Sequence, residues 1–116
     1  MANFIPSDML TLDLGAGDEV NLHEDATNEP LYIRGAYFVN NKAGVPKDQK
    51  KIDLFILDPN YKVIYSVRQQ EEGIFRINTT MAGQYTFAFS NMKDKVNNKE
   101  VTIAIHPGYE EDSKPK

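Results

Sequence analysis

The stretch Gly83-Gln-Tyr-Thr-Phe-Ala-Phe-Ser-Asn-Met92, GQYTFAFSNM, decides the fold. Successive side chains of a strand point to opposite sides, so Tyr85, Phe87 and Phe89 share one face and Gln84, Thr86, Ala88 and Ser90 share the other. Aromatics at a period of two mark a strand with one face on a core. The second face poses a question. It carries a bare Ala88 between two hydroxyl residues, where a solvated face would be polar throughout.

The same reading extends along the chain. Leu10, Leu12 and Leu14 alternate, GAGD turns the chain, and Val20 and Leu22 alternate after it. HEDATNEP reads as a polar loop closed by Pro30. Leu31 to Val39 is a longer strand rich in sheet-forming aromatics. Ile52 to Leu57 is apolar apart from Asp53, the pattern of a strand covered on both faces. Asp58-Pro59-Asn60 is a turn, since Pro59 presets φ and Asp and Asn favour turn geometry. Lys62 to Val67 returns from that turn, RQQEEG is a loop, and Phe75 and Ile77 mark a short strand. The last strand carries Val101, Ile103 and Ile105 on one face.

About eight short strands with turn chemistry between them predict an all-β fold, an antiparallel β-sandwich. No amphipathic helix of useful length appears. Tyr85, Phe87 and Phe89 are the expected anchors of the core, with Phe75 and Phe55 as their expected partners across it. Residues 1–9 read as an N-terminal extension, 10–108 as the domain, and 109–116 as a disordered acidic tail.

Composition bounds the function. The 116 residues are one domain by size, with a net charge of −4 that argues against a nucleic-acid partner. Lysines gather at Lys47/Lys50/Lys51 and at Lys93/Lys95/Lys99, among Asn, Asp and Gln with no aromatic platform, and read as solvated loops. The absence of Cys excludes a disulfide scaffold, a thiolate metal site and a Cys nucleophile. No apolar run reaches the roughly 18 residues that a membrane span needs, and MANFIPSDML lacks the regions of a signal peptide.

Catalytic chemistry is poorly represented. The two His, His23 and His106, have no Ser or Asp at a recognised motif spacing, so no enzyme activity is expected. His23 to Glu29 holds acidic groups without the regular ligand spacing of a calcium loop, and no metal or other cofactor is expected. Asn78-Thr79-Thr80 is an N-glycosylation sequon, meaningful if the chain is lumenal.

Taken in order, IDLFILDPNYKVIY (52–65), EEGIFRINTT (71–80), GQYTFAFSNM (83–92) and KEVTIAIHPG (99–108) resemble a GOLD (Golgi dynamics) domain. More narrowly, they resemble the lumenal domain of the p-twenty-four or emp family, small transmembrane cargo receptors that cycle between endoplasmic reticulum and Golgi. The matching positions are Asp58, Pro59, Gly73, Phe75, Gly83, Tyr85, Phe87, Phe89 and Asn91. The resemblance implies a Cys at Ala88 and another around Val20, forming a disulfide; here both are apolar. It thus offers an answer for Ala88, which would pack under a neighbouring segment as a half-cystine does. A bridge closing a loop of that length is worth about 4 kcal/mol in the chain-entropy picture.

The resemblance further implies a non-enzymatic recognition domain with protein cargo and related subunits as partners, in homo- or hetero-oligomers. It also implies a signal peptide, a coiled coil, a membrane span and a coat-binding tail, none within these residues, so that any membrane attachment would come through segments outside them. The acidic tail falls where the coiled coil would begin, as in a domain cut at its edge. Partner contacts are expected at Asn40–Lys51, Asp58–Lys62 or Asn91–Asn98. The alternatives are a cytosolic GOLD-type adaptor, or a carbohydrate- or calcium-binding sandwich using His23 to Glu29.

Overall fold

A computed structural model describes residues 9–26, 31–41, 44–46 and 49–109. Eight strands follow one another: β1 (Met9–Leu14), β2 (Glu19–Ala26), β3 (Leu31–Val39), β4 (Ile52–Leu57), β5 (Val63–Gln70), β6 (Glu72–Thr79), β7 (Gly83–Ser90) and β8 (Lys99–Tyr109). They form two four-stranded antiparallel sheets, ordered β1-β8-β3-β6 and β2-β7-β4-β5. The expected β-sandwich is the fold. Two segments read as loops are strand instead. His23 to Ala26 extends β2, and Arg68 to Gln70 extends β5 up to the bend at Glu71. Pairing with β7 supplies the backbone partners that hold residues 23–26 extended, whereas at the end of β5 Gln70 pairs with Ile52 and the left-handed Gln69 forms a bulge whose N–H bonds Asp53 Oδ1. Residues 27–30 and the tail beyond Tyr109 lie outside the described residues.

The aromatic row of β7 forms the centre of the core. Tyr85, Phe87 and Phe89 are fully buried. Phe87 meets Phe75 of the opposite sheet with ring centroids 5.6 Å apart, and Phe89 meets Tyr37 edge-on at 6.1 Å. Phe75 is therefore the partner across the core, as the sequence suggested. Phe55 is not. It stands beside Ala88 on the outer face of β7's own sheet, because its register partners are Ala88 and Ser66. In β4 it is Leu54 and Ile56 that pair with Phe89 and Phe87 and face inward.

Phe75 is seated over Gly35, where an added β-carbon would lie 2.3 Å from the Ala104 carbonyl oxygen and 2.5 Å from the Phe75 ring. Any larger residue at position 35 would push the ring out of the core. The Tyr37 hydroxyl is buried without a hydrogen-bond partner among the described residues. Burial, and then the nearby Tyr65 and Asp53, push its pKa up to about 12.

The face opposite the aromatics is also covered. Thr86, Ala88 and Ser90 are all buried, Ala88 with 4% of its surface exposed. β7 is a central strand, so Ala88 has neighbours on both sides: Asn21 on β2 and Phe55 on β4. Arg68 stacks 5.7 Å from the Phe55 ring centroid. A small residue fits between these flanking side chains.

Candidate functional site

Three connections converge at one end of the sandwich: the turn at 15–18, the described part of the 40–51 segment and the loop at 91–98. A buried polar network holds them. Asn91 leaves the end of β7 and is 2% exposed. Its Nδ2 donates to the carbonyls of Gly15 (3.0 Å), Asn97 (2.9 Å) and, at 3.4 Å, Leu14. Its Oδ1 accepts from Lys99 Nζ at 2.6 Å. Lys99, also 2% exposed, further reaches Asp94 at 3.0 Å and the Lys51 carbonyl at 3.1 Å. The Gly17 N–H donates to the carbonyls of Asn91 (3.2 Å) and Asp94 (2.8 Å), and Asn97 Nδ2 donates to Gln49 Oε1 at 2.6 Å.

Asp94 is the acid of this cluster. Bonds from the side chain and N–H of Asn97, the N–H of Val96 and then Lys99 hold its carboxyl far below the usual carboxylate range. A second acid, Asp53, braces the loop from β4. Burial opposes its ionisation, but the bonds from the Gln69 amide and N–H and from Lys93 prevail and keep its pKa below the ordinary value. The result is a fixed loop that displays apolar groups: Val96 is 83% exposed and Met92 49%. An ordered loop presenting hydrophobic side chains can bind protein at low entropic cost.

Two lysine readings change here. Lys50 and Lys99 are buried, Lys50 bonded to Asn41 Oδ1 and Lys99 in the network above, and neither is a solvated loop cation. Charge-rich loop sequence concealed them because their partners, Asn91, Asp94 and Asn41, read equally well as loop residues. The Asn91–Lys99 spacing gave no usable signal, since the chain between them doubles back.

Asp58 and Pro59 build the turn at the other end. Asp58 Oδ1 accepts from the N–H groups of Asn60 and Lys62, both at 2.9 Å. Pro59 packs under Gly83, whose φ of +135° and closeness (2.7 Å from a built β-carbon to that of Pro59) exclude larger residues. Tyr85 donates to the Met81 carbonyl at 3.1 Å, and Gly73 lies against the Tyr37 ring. Of the three expected contact loops, Asn91–Asn98 and the described part of Asn40–Lys51 meet at one end, whereas Asp58–Lys62 sits at the opposite one. Asn78 is exposed on β6. His23 and Glu24 point to opposite faces of β2, and His23 Nδ1 lies 3.2 Å from Thr86 Oγ1, so the described part of that segment does not converge on a cation. Among the described residues no group of three or more His, Cys, Asp or Glu is placed to hold a metal.

Val20 and Ala88 do not face each other. Val20 pairs with Phe89 and packs on the core, whereas Asn21 pairs with Ala88 on the outer face. The Asn91 N–H bonds the Asp18 carbonyl at 2.8 Å, one step beyond this ladder, which makes Asn21–Ala88 a non-hydrogen-bonded pair with close β-carbons. An Asn21→Cys/Ala88→Cys variant is expected to oxidise to a cross-strand disulfide and to melt at higher temperature, by up to about 4 kcal/mol of added stability. Val20→Cys/Ala88→Cys is expected to stay reduced. Thiol titration of both after air oxidation checks this.

The two-sheet sandwich, the Asp58-Pro59 turn against Gly83 and Asn91 at the end of the strand that bears the aromatic row together frame the domain. The model of the emp24/gp25L/p24 family/GOLD matches residues 9–116. The chain belongs to this family of GOLD domains. It is 32% identical over 57 residues to transmembrane emp24 domain-containing protein A of Dictyostelium discoideum, a match covering 49% of this chain and 28% of that protein. The periplasmic g-type lysozyme inhibitor PliG of Aeromonas hydrophila shares the fold, with a TM-score of 0.60 at 7% identity over 86% of this chain and 84% of the inhibitor. The emp24/GOLD family comprises non-enzymatic trafficking proteins of vesicular transport, of cargo-receptor type. No helix among the described residues is long and apolar enough to cross a membrane.

Proposed function

We propose that this GOLD domain is the lumenal recognition module of a single-pass cargo receptor moving between endoplasmic reticulum and Golgi. The family match across residues 9–116 carries the reading, and the transmembrane character of the Dictyostelium relative supports it. In this role the 91–98 loop, fixed by Asn91 and Lys99, offers Met92 and Val96 to protein cargo, and an exposed strand edge associates with related subunits. Asn78, exposed on β6, carries a glycan when the domain enters the lumen.

The test uses the full-length product in sealed microsomes. Protection of the domain from added protease, together with an endoglycosidase shift that Asn78→Gln removes, is the expected result. Digestion of the domain in intact vesicles would refute lumenal placement and favour the cytosolic adaptor reading. With placement established, Met92→Asp/Val96→Asp is expected to reduce cargo recovery in crosslinked vesicles without changing the melting temperature.

A further inference from the structure

We propose that strand β6 is a homodimerisation edge, pairing antiparallel with β6 of a second copy about a two-fold axis at Ile74. The idea rests on the subunit-association part of the reading above and specifies its surface and register. β6 is an outer strand of its sheet. The Val39 N–H bonds the Glu71 carbonyl at 2.8 Å, in line with the β3–β6 ladder. That phase turns the backbone groups of Gly73, Phe75 and Ile77 toward β3, and those of Glu72, Ile74 and Arg76 toward the open edge. The contact on this row is a long one, from the Tyr65 hydroxyl to the Ile74 carbonyl at 3.5 Å, and it leaves that oxygen's second lone pair free.

Proteins ordinarily blunt such edges with lysine, proline, bulges or like charge. The other sheet's edges are blunted in this way. β5 carries register shifts and a left-handed Gln69 (φ 52°), and β2 bears Glu19, Glu24 and Asp25. β6 keeps an unbroken register with β3 along its whole length and contains neither lysine nor proline. At its centre Ile74 is 81% exposed. It ends an apolar row that crosses the sheet through Ala36 and Ala104 to Met9.

Charge selects the register. Arg76 stands directly opposite Arg34 on β3, an unfavourable like-charge pair, and its neutral neighbour is the Tyr32 ring at 4.2 Å. Neither Arg76 nor Glu72 has an ion-pair partner among the described residues. Of the registers that set outward backbone groups against each other, the one centred on Ile74 alone places Glu72 opposite Arg76 of the second copy. Both copies gain the same pair, as an isologous two-fold contact requires. Ile74 then meets Ile74, and the apolar row runs on across eight strands. Position 78 falls opposite position 70, beyond the partner's β6, so a glycan on Asn78 lies clear of the paired segment.

Sedimentation equilibrium tests this by charge reversal. The native chain is expected to show a concentration-dependent dimer. Glu72→Arg sets Arg against Arg, and Arg76→Glu sets Glu against Glu, so each is expected to weaken the dimer by roughly tenfold. The double variant restores opposite charges and is expected to regain native affinity. An equimolar mixture of the two single variants is expected to form a heterodimer. These surface changes leave the core intact, which thermal melts check. A native chain that stays monomeric at millimolar concentration overturns the proposal, as does a dimer indifferent to reversal or not restored by the double variant. Neither result touches the microsome test, so the two readings fail separately.

Discussion

Phe87→Ala is expected to cost roughly 3–5 kcal/mol, a large fraction of the stability of a domain of this size. Phe87 is completely buried on the central strand of its sheet. Leu22 and Ile56 flank it within the sheet, and Phe75 meets it from the other. Truncation removes the transfer energy of the ring and leaves a cavity walled by two sheets that cannot close without shifting their registers. Urea unfolding reads the effect as a lower midpoint at an unchanged slope. Phe75→Ala and the double variant complete a cycle in which the ring pair should couple by about 0.5–1.5 kcal/mol. A midpoint for Phe87→Ala close to the native one would remove the Phe75–Phe87 contact from the centre of the core.

The sandwich was legible because the aromatic row repeats at the period of a strand, and the turns carry Pro, Gly and Asp where geometry demands them. Which sheet each strand joins was not. Phe55 and Phe75 look alike in sequence, yet one lies beside Ala88 and the other across the core from Phe87. Only pairing order decides that, and pairing order is a long-range property. The same limit governs Val20. The alternation of β2 shows that Val20 and Asn21 face opposite ways, but not which of them stands opposite Ala88. Polar strands are harder still. The residues from His23 to Asp25 have no apolar period, and they are extended because β7 offers them a ladder.

Edges and loops divide similarly. Ile74 looks like an ordinary strand residue until the topology leaves β6 unpaired on one side. Its flanking Glu72 and Arg76 then become a self-complementary pattern. Several positions that carry the resemblance have structural work in this fold: Asp58 and Pro59 shape one turn, Gly83 accommodates Pro59, and Asn91 ties three segments. The loop that displays Met92 and Val96 owes its order to Lys99, which the sequence disguised as one more surface lysine.

Lys99→Met is expected to destabilise the domain by roughly 3–5 kcal/mol, the range found when one partner of a buried charged pair is removed. The methionine fills the space of the aliphatic stem but leaves Asn91 Oδ1, buried, without its donor, and Asp94 without its cation. Asp94→Asn is expected to cost a similar amount: the N–H groups of Asn97 and Val96 still find an amide oxygen, but the buried Lys99 ammonium loses its anion and the new amide N–H₂ faces the donors Lys99 Nζ and Asn97 Nδ2. The pH dependence separates the two. The Asp94 carboxyl ionises more readily folded than unfolded, so its contribution is fully present above the ordinary carboxylate pKa of about 4. It is lost as pH falls below that value toward the lower folded pKa. Asp94→Asn should therefore flatten the acid limb of the stability curve, and Lys99→Met should reduce its steepness in part, since Asn97 and Val96 still favour the anion. Hydrogen exchange at Gly17, whose N–H is held by Asn91 and Asp94, reports the loop directly. Its protection should drop in Lys99→Met by more than global destabilisation accounts for. Native-like protection there would mean that backbone bonds alone fix the loop, and that the order of Met92 and Val96 does not depend on the buried lysine.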